Sequence, residues 1–259
     1  MAVVLVGVGA DTGNVEPVPQ LLDGRRFEYI PIPEKSTTTG ETRTFGSMPQ
    51  QHGDGPLSEL VEGIRPGSDG EWIRDEEAIQ NYPVHYDPNF EALTYGEGGK
   101  DGNINAIVEC LDAGDVLGFY TGLETDGRMH RYLFGYFMLA DDPVVLDAET
   151  PAEARAAILQ DHQANAHSKR FAGNGELYAL DPDKPQGASR VVLVDGREPG
   201  GLLDRAVRLS GPVDRGNYYM KEAVAEVLDP NTTYLGGFKP PIRCELSASA
   251  FVEFVERHQ

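Results

Sequence analysis

The stretch that decides the fold is residues 116–140, which read VLGFYTGLETDGRMHRYLFGYFMLA. Val116–Thr121 and Tyr132–Ala140 are rich in aromatic and branched side chains, a composition that is typical of β-strands. Between these two segments, Glu124–Gly127 supplies turn residues. The stretch therefore predicts a β-hairpin at the centre of the chain.

Further elements are predicted on both sides of the hairpin. In chain order they are strands at Val3–Val8 and Phe27–Ile32, helices at Leu57–Ile64 and Ala106–Leu111, a helix from Pro151 to Phe171 with Thr150 as N-cap, strands at Leu177–Leu180 and Val191–Asp195, and helices at Asn217–Leu228 and Ala248–His258. Glu34–Gly70 is rich in polar and turn residues, which predicts a long loop or lid. We therefore expect one domain over residues 1–259 with a mixed α/β (α+β) fold. Its mixed sheet would contain a central β-hairpin or small barrel-like unit with flanking helices.

Acidic side chains greatly outnumber basic ones. The chain has 42 Asp and Glu against 22 Lys and Arg, for a formal net charge of −20, and six of the basic residues are lysines. Acids spread along the whole chain are typical of proteins that stay soluble in molar salt, so we expect a halophilic protein. At about 1 M salt the Debye length is about 3 Å, and the net charge then does not exclude a nucleic-acid partner. An acidic face that binds a basic partner is the alternative.

The termini and cysteines indicate a compartment. Cys110 and Cys244 lie far apart in the sequence, so they form neither a CxxC redox pair nor a zinc knuckle. The opening MAVVLVGVGAD has no basic region before its apolar run, unlike a secretory signal. No apolar stretch reaches the eighteen or so residues of a membrane span. We therefore expect a cytoplasmic protein without a membrane partner.

Glycines after the first predicted strand resemble a dinucleotide-binding turn only in part. Gly7, Gly9 and Gly13 have the spacing GxGxxxG instead of GxGxxG. Pro17 and Pro19 fall where the phosphate-binding helix would lie, and proline breaks a helix at that depth. The sequence also has no P-loop lysine. We therefore expect no nicotinamide, flavin or ATP site and no cofactor.

Two short polar segments are candidates for a catalytic or binding site. Asp11, Thr12 and Asn14 follow a buried strand, where α/β proteins often place ligand-facing groups, although an Asx-turn explains them as well. His85 and Asp87 alternate in an extended segment, and a carboxylate beside an imidazole is the usual arrangement of a general base. A surface turn is the alternative reading of that pair. We predict that Asp11 and Asn14 meet His85 and Asp87 in one pocket, with Asp11, His85 and Asp87 as the catalytic candidates.

Other histidines and one tyrosine are candidates for ligand binding. On the long predicted helix His162 and Asn165 share a face, whereas His167 lies about 140° away from His162. His162 and His167 are therefore poor partners for one metal ion unless the helix ends between them, and we predict no metal site. His130 opens a strand, where binding and simple exposure remain alternatives. Tyr136 lies on the hairpin, where an aromatic ring is either core or a stacking platform for bases.

Several of these stretches together resemble a known family. They are Val6-Gly-Val-Gly-Ala-Asp-Thr-Gly-Asn14, Pro17 and Pro19, Asp23-Gly24, Pro31-Ile-Pro-Glu34, His85-Tyr-Asp-Pro88, Gly114-Asp115, Phe134-Gly-Tyr136, and the helix with His162 and His167 followed by Leu177-Tyr178. In this order they resemble the third type of nucleotide modification associated domain over nearly the entire chain. The resemblance implies a link to modified bases in DNA or in nucleotide pools. The Gly114-Asp115 unit with its hairpin also resembles small base-reading barrels of the PUA, ASCH and EVE type.

Three hypotheses from different classes remain at this point. The first is a binding module that recognises a modified base or nucleotide with Asp11, Asn14, His85 and aromatic side chains. The second is an enzyme, a nucleotide or base transferase or hydrolase, in which Asp11 and the His85–Asp87 pair perform acid–base chemistry. The third is an interaction protein that uses its acidic surface. The enzyme hypothesis requires these groups to converge on one cavity within hydrogen-bond reach.

Overall fold

The computed structural model describes residues 2–67, 70–98, 101–147, 149–174, 190–212, 216–236 and 239–259. In chain order the strands are β1 (Val3–Gly7), β2 (Val15–Glu16), β3 (Ile32–Pro33), β4 (Gly63–Ile64), β5 (Val84–His85), β6 (Thr94–Gly98), β7 (Val116–Thr125), β8 (Arg128–Leu139), β9 (Val144–Asp147), β10 (Arg190–Arg208) and β11 (Ile242–Cys244). The helices are α1 (Glu76–Gln80), α2 (Asp101–Cys110), α3 (Ala152–Asp161), α4 (Ala166–Asn174), α5 (Glu222–Leu228) and α6 (Ala248–His258).

One large mixed sheet organises the molecule. Its strand order is β11-β1-β7-β8-β10-β6, and β9 pairs with β10 as well. β1 runs parallel to β7, and the other pairs in this sheet are antiparallel. Two small sheets, β2 with β4 and β3 with β5, lie outside it. The mixed α/β class is confirmed, and the strands of the described ranges form an open sheet instead of a closed barrel.

The central hairpin is confirmed, with longer strands than the sequence predicts. β7 and β8 pair from Val116 opposite Met138 to Thr125 opposite Arg128, so the ladder extends to the turn. Asp126 and Gly127 form the turn with φ of 51° and 70°. An Asp-Gly pair with positive φ at both positions is the preferred two-residue hairpin loop, because its twist matches that of the strands. The two strands therefore continue closer to the turn than the predicted bounds, Thr121 and Tyr132.

Both faces of the hairpin are covered by other parts of the chain. On one face Phe90, which lies between β5 and β6, packs against Phe119 and Phe137 with ring centroids 5.7 Å from each. On the opposite face Tyr136 contacts Phe251 of α6 at 5.5 Å. Side chains alternate between the faces of a strand, so an open face would have left one ring of each pair for a ligand. Because both faces are packed, these aromatic side chains are core and Tyr136 is not a stacking platform.

The long helix predicted from Pro151 to Phe171 is two helices. α3 ends at Asp161 and α4 begins at Ala166. Asn165 starts the second helix: its side-chain oxygen accepts the backbone N–H of His167 at 2.9 Å, as the side chain of an N-cap residue does. Thr150 is not the N-cap of α3, because that position is Pro151 and the Thr150 hydroxyl bonds the Asp147 carboxylate instead. The break between the helices turns His167 in a new direction.

The remaining predictions had mixed outcomes. Strand Val3–Val8 corresponds to β1, helix Ala106–Leu111 to part of α2, Val191–Asp195 to part of β10, Asn217–Leu228 to the shorter α5, and Ala248–His258 to α6. Leu177–Leu180 lies outside the described residues. The helix at Leu57–Ile64 was wrong: a 3₁₀ turn covers Leu57–Leu60, and Gly63–Ile64 pairs with β2. Within the predicted strand Phe27–Ile32, Ile32 belongs to the β3–β5 ladder. Pro31 has no N–H and cannot donate a ladder hydrogen bond.

Two further features bear on the site. After β1 the chain forms a turn and the short strand β2, where a dinucleotide-binding protein has its helix. The segment predicted as a loop or lid is anchored to the core by buried side chains, among them Phe45, Leu57 and Ile64.

Among the described helices, none is both long enough and apolar enough to cross a bilayer.

Candidate functional site

A cavity of about 580 Å³ opens between the end of β1 and the segments around β5, β6 and α4. Its lining residues come from distant parts of the sequence: Gly7, Val8, Gly9, Asp11, Gly13, Asn14, Ile32, Lys35, His85, Asp87, Tyr95, Gly96, Glu97, Gly98, His167, Arg170 and Lys239. Its volume falls within the range of about 300–1,000 Å³ that is common for small-molecule sites. Asp11, Asn14, His85 and Asp87 all line it, so the structure brings the two predicted polar segments to one cavity.

β5 and β6 position the first two polar side chains of the cavity. His85 lies on β5 opposite Ile32 of β3 and is 6% exposed. Two residues later Asp87 turns back, and its backbone N–H donates to the His85 carbonyl at 2.8 Å. The backbone N–H of Gly96 on β6 lies 3.1 Å from each Asp87 carboxylate oxygen. Asp87 is therefore held in one orientation, away from bulk water.

His167 reaches the same place from the first turn of α4. The cap residue Asn165 is fully buried, and its amide donates to the Thr94 hydroxyl on β6 at 3.1 Å, which fixes the start of the helix against the sheet. Gly96 makes this approach possible. A Cβ at Gly96 would lie 2.4 Å from His167 Cδ2, so any other residue there would displace the imidazole.

Three buried side chains meet at one wall of the cavity, and we call them the triad: His85, Asp87 and His167. Asp87 Oδ2 lies 3.2 Å from His167 Nε2 and 3.7 Å from His85 Nε2. The two imidazole rings stand nearly perpendicular with centroids 4.9 Å apart. One donor atom from each residue lies within 4.8 Å of the other two. Such convergence of titratable groups on a cavity is characteristic of active sites and metal sites.

Glu34 and Arg170 support the triad from behind. Arg170, three residues after His167, forms an ion pair with Glu34 Oε1, and the Glu34 side chain is 1% exposed. His85 Nδ1 lies 3.2 Å from Glu34 Oε2 and 2.9 Å from an Arg170 nitrogen. A guanidinium can only donate, so the ring either donates Nδ1–H to Glu34 or accepts from Arg170. In the tautomer that donates Nδ1–H to Glu34, His85 Nε2 carries a lone pair on the Asp87 side.

Burial and neighbouring charges shift the pKa of each of these groups. Burial would raise the pKa of Glu34, but His85 and Arg170 outweigh it and lower the value to about 2. Burial, reinforced by Arg170, lowers the pKa of His85. Burial also lowers the pKa of His167 well below its ordinary value, with His85 and Arg170 adding to the effect. Burial raises the pKa of Asp87 well above its ordinary value, against the hydrogen bond from Gly96. The imidazoles are therefore neutral at pH 7.

Asp11 also lines the cavity and lies in an Asx-turn. Its Oδ1 accepts the Gly13 N–H at 2.9 Å, and Asn14 Oδ1 accepts the Asp11 N–H at 2.9 Å. Its Oδ2 lies 3.0 Å from Lys239 Nζ. Burial would raise the pKa of Asp11, but the Lys239 charge and the Gly13 N–H lower it. The alternative reading as a self-capping turn therefore describes Asp11 and Asn14 correctly, and the same turn presents the Asp11–Lys239 pair to the cavity.

The other predicted ligand residues lie away from the cavity lining. Thr12 is exposed, and Tyr136 is in the core. His130 contacts Arg208 at 3.0 Å, and His162 pairs with Asp195 at 3.1 Å at the end of α3. Asn165 is not among the lining residues; it caps the start of α4 and so orients His167. His162 and His167 contact different carboxylates, those of Asp195 and Asp87. The helix ends between the two histidines, so the predicted angle of about 140° on one continuous helix does not apply.

Sequence reasoning missed Glu34, Arg170, Gly96 and Lys239. One signal was present for Arg170, because it follows His167 by three residues and so shares a helix face with it once α4 is known to begin at Ala166. Glu34 stands beside Pro33 in a segment that was interpreted as the start of a loop. Lys239 is 231 residues from Val8, whose carbonyl it contacts at 3.4 Å. No local pattern could place it.

A family model described as nucleotide modification associated domain 3 matches residues 2–252. The chain belongs to this family. Membership in the nucleotide modification associated domain 3 family supports a role associated with nucleotide modification, as the resemblance implied. It does not distinguish recognition from catalysis. Comparisons with curated proteins and with solved structures found no match.

The His162–Asp195 pair should make stability depend on pH. The hydrogen bond and charge of Asp195 raise the pKa of His162 above its ordinary 6.5. The pair therefore stabilises the fold fully below about pH 6.5. That contribution is lost as the pH rises through the folded pKa. Because the Asp195 side chain is 45% exposed, the effect should stay below about 1 kcal/mol. Urea unfolding of the wild type and His162→Asn at pH 5.5 and 8.5 measures it, and an equal difference at both pH values would contradict the pairing.

Proposed function

We propose that this chain is an enzyme that acts on a nucleotide or on a base in nucleic acid, as a hydrolase or transferase, with the triad as its chemical centre. Family membership supports the nucleotide part of the proposal. One observation carries the enzymatic part: His85, Asp87 and His167 are buried, lie within 4.8 Å of one another and line a cavity of about 580 Å³. Purely structural histidines do not need to converge on a cavity.

The protonation states suit acid–base chemistry. Neutral imidazoles offer a lone pair that can accept a proton from a substrate or from a water molecule. Asp87, whose raised pKa favours the protonated form, can supply a proton. The 3.2 Å separation between Asp87 Oδ2 and His167 Nε2 is within the range for direct proton transfer. Groups that hold and release protons therefore lie side by side at the cavity.

Cationic side chains on the cavity wall suit a phosphorylated substrate. Lys35, Arg170 and Lys239 line the cavity together with the carboxylates of Asp11 and Glu97. Lysine and arginine attract phosphate, and carboxylates accept hydrogen bonds from base amino groups and sugar hydroxyls. A wall that carries both charges matches the two ends of a nucleotide. In this proposal Asp11 and Lys239 orient the substrate, and the triad acts on it.

A binding module that reads a modified base is less well supported by the same geometry. Such modules commonly hold the base by stacking on aromatic rings. Among the described lining residues Tyr95 is aromatic, and it is 2% exposed with its hydroxyl donating to Glu97 at 3.0 Å. The aromatic side chains of the hairpin, which the reader hypothesis needed, are in the core.

Nucleoside analysis separates the two functions. DNA and RNA from cells that express the wild type, Asp87→Asn or Asp204→Asn would be digested and analysed by mass spectrometry. Asp204 is an exposed side chain beside Arg205 and serves as the matched control. We expect the wild type and the control to change at least one nucleoside, and Asp87→Asn to reduce the change by roughly 10²–10⁴-fold. Equal nucleoside content with and without the wild-type protein, together with saturable nucleotide binding, would establish a reader instead.

A further inference from the structure

The triad has the donor composition of a metal site. It consists of two imidazole nitrogens and one carboxylate oxygen, a set that binds first-row transition metal ions such as zinc or iron. In a tetrahedral site with bonds of about 2.0–2.1 Å, neighbouring ligand atoms lie about 3.3–3.4 Å apart. The measured separations of Asp87 Oδ2 from His167 Nε2 and from His85 Nε2, 3.2 Å and 3.7 Å, bracket that value. One donor atom from each of the three residues lies within 4.8 Å of the others, so an ion would draw the two rings together.

The residues behind the triad have the arrangement that metal sites use. A ligating histidine usually donates its other ring N–H to a carboxylate, which fixes the ring and its tautomer. Glu34 is positioned to accept Nδ1–H of His85 at 3.2 Å, and Arg170 holds Glu34 in turn. On the other side the Gly96 N–H orients Asp87. Two of the three prospective ligands thus have a fixed orientation before any ion arrives.

The charge of the site also fits a cation. Asp87 is 6% exposed, and a buried carboxylate is unstable as an anion unless a positive charge compensates it. Each imidazole beside Asp87 has a ring nitrogen that can supply a lone pair to an ion. A divalent ion between the three side chains would compensate Asp87 and use both lone pairs.

We propose that the triad binds one divalent first-row transition metal ion through His85 Nε2, His167 Nε2 and Asp87 Oδ2, with its remaining coordination positions facing the cavity. Three protein ligands with an open position are typical of catalytic metal sites, whereas structural sites are closed by four. The inference rests on the proposed function for the location of the chemistry. It changes the role of the imidazoles from proton acceptors to ligands and that of Asp87 from a proton donor to an ionised ligand. The bound ion would supply Lewis-acid chemistry at the cavity.

Metal titration of the untagged full chain tests the site. Protein stripped with a chelator would be titrated with Zn²⁺ and Co²⁺ in about 1 M KCl, with Mg²⁺ and Ca²⁺ as ions that prefer oxygen ligands. Calorimetry would give the stoichiometry, and visible absorption of the Co²⁺ form would report its ligands. We expect one Zn²⁺ per chain. We expect His167→Ala to weaken binding by more than about 100-fold, since even the loss of a supporting partner weakens metal sites by about 10–100-fold.

His258→Ala is the matched control, because His258 is exposed at the end of α6 and far in sequence from the triad. Asp87→Asn keeps the side-chain shape and serves if His167→Ala does not fold. No Zn²⁺ or Co²⁺ binding by the wild type, or equal binding by His167→Ala and His258→Ala, would overturn the proposal. Nucleic acid incubated in vitro with chelator-stripped protein gives the second readout, and a nucleoside change that persists there would overturn the catalytic metal and leave an acid–base enzyme. Metal binding without any nucleoside change would leave the metal site and remove the proposed function.

Discussion

Replacing Glu34 with alanine should lower the free energy of unfolding by about 3–5 kcal/mol. The Glu34 side chain is 1% exposed and interacts with Arg170 and His85, so its removal takes this counter-charge away from a buried guanidinium. A low folded pKa of about 2 shows the same coupling, since the ionised carboxylate is stabilised by these neighbours against burial. Removing one partner of a buried ion pair is far more destabilising than removing both.

A surface ion pair provides the matched comparison for Glu34. Glu91 pairs with Arg43 at 2.5 Å, but its side chain is 64% exposed, so Glu91→Ala should change stability by less than about 1 kcal/mol. Urea unfolding in about 1 M KCl measures both variants, because salt screens buried pairs much less than exposed ones. The double variant Glu34→Ala with Arg170→Met should be less destabilised than Glu34→Ala alone. Equal losses for Glu34→Ala and Glu91→Ala would show that the Glu34 pair is not a buried, structure-holding contact.

The parts of the fold that could be predicted are those that local patterns determine. The hairpin follows from two apolar strands joined by an Asp-Gly turn, and α6 follows from its periodic apolar residues. The parallel pairing of β1 with β7 joins residues more than a hundred positions apart, and no periodicity encodes it. Leu57–Ile64 shows the converse, since its apolar spacing predicts a helix whereas pairing with β2 imposes a strand on Gly63–Ile64.

The candidate site was predictable to a similar extent. The alternation of His85 and Asp87, and the position of Asp11 after a buried strand, predicted a shared pocket. All three residues line one cavity, and their catalytic roles stay a prediction. His167 was a candidate for ligand binding, but it could not be assigned to the triad, because on a continuous helix it faces away from Asn165. The cap formed by Asn165 starts a new helix there, and a single hydrogen bond of 2.9 Å therefore decides which histidine reaches the triad. Glu34 comes from a polar segment whose buried members no composition argument can identify.

Lowering the salt concentration should remove most of the stability of this protein. The formal net charge is −20, and at about 0.1 M salt unbalanced charges repel one another over about 10 Å, compared with about 3 Å at 1 M. Salt also weakens attractive surface pairs such as Arg43–Glu91, Arg74–Glu16 and Arg243–Glu109. Each such pair contributes only about 0–1 kcal/mol, so relief of the general repulsion should dominate. We therefore expect the unfolding temperature to rise steeply between 0.1 and 1 M KCl.

Thermal unfolding followed by circular dichroism tests this expectation. Salts can also stabilise proteins by being excluded from their surface, and sucrose does the same without screening charge. Sucrose added at 0.1 M KCl therefore serves as the control, and it should recover much less stability than 1 M KCl does. If screening is the cause, most of the gain should occur below about 1 M, because the Debye length shortens most in that range. An unfolding temperature that stays constant from 0.1 to 1 M KCl would show that the stability of this fold does not depend on salt. An unfolding temperature that sucrose raises as much as KCl would show that exclusion from the surface, and not screening of the acidic charges, causes the effect.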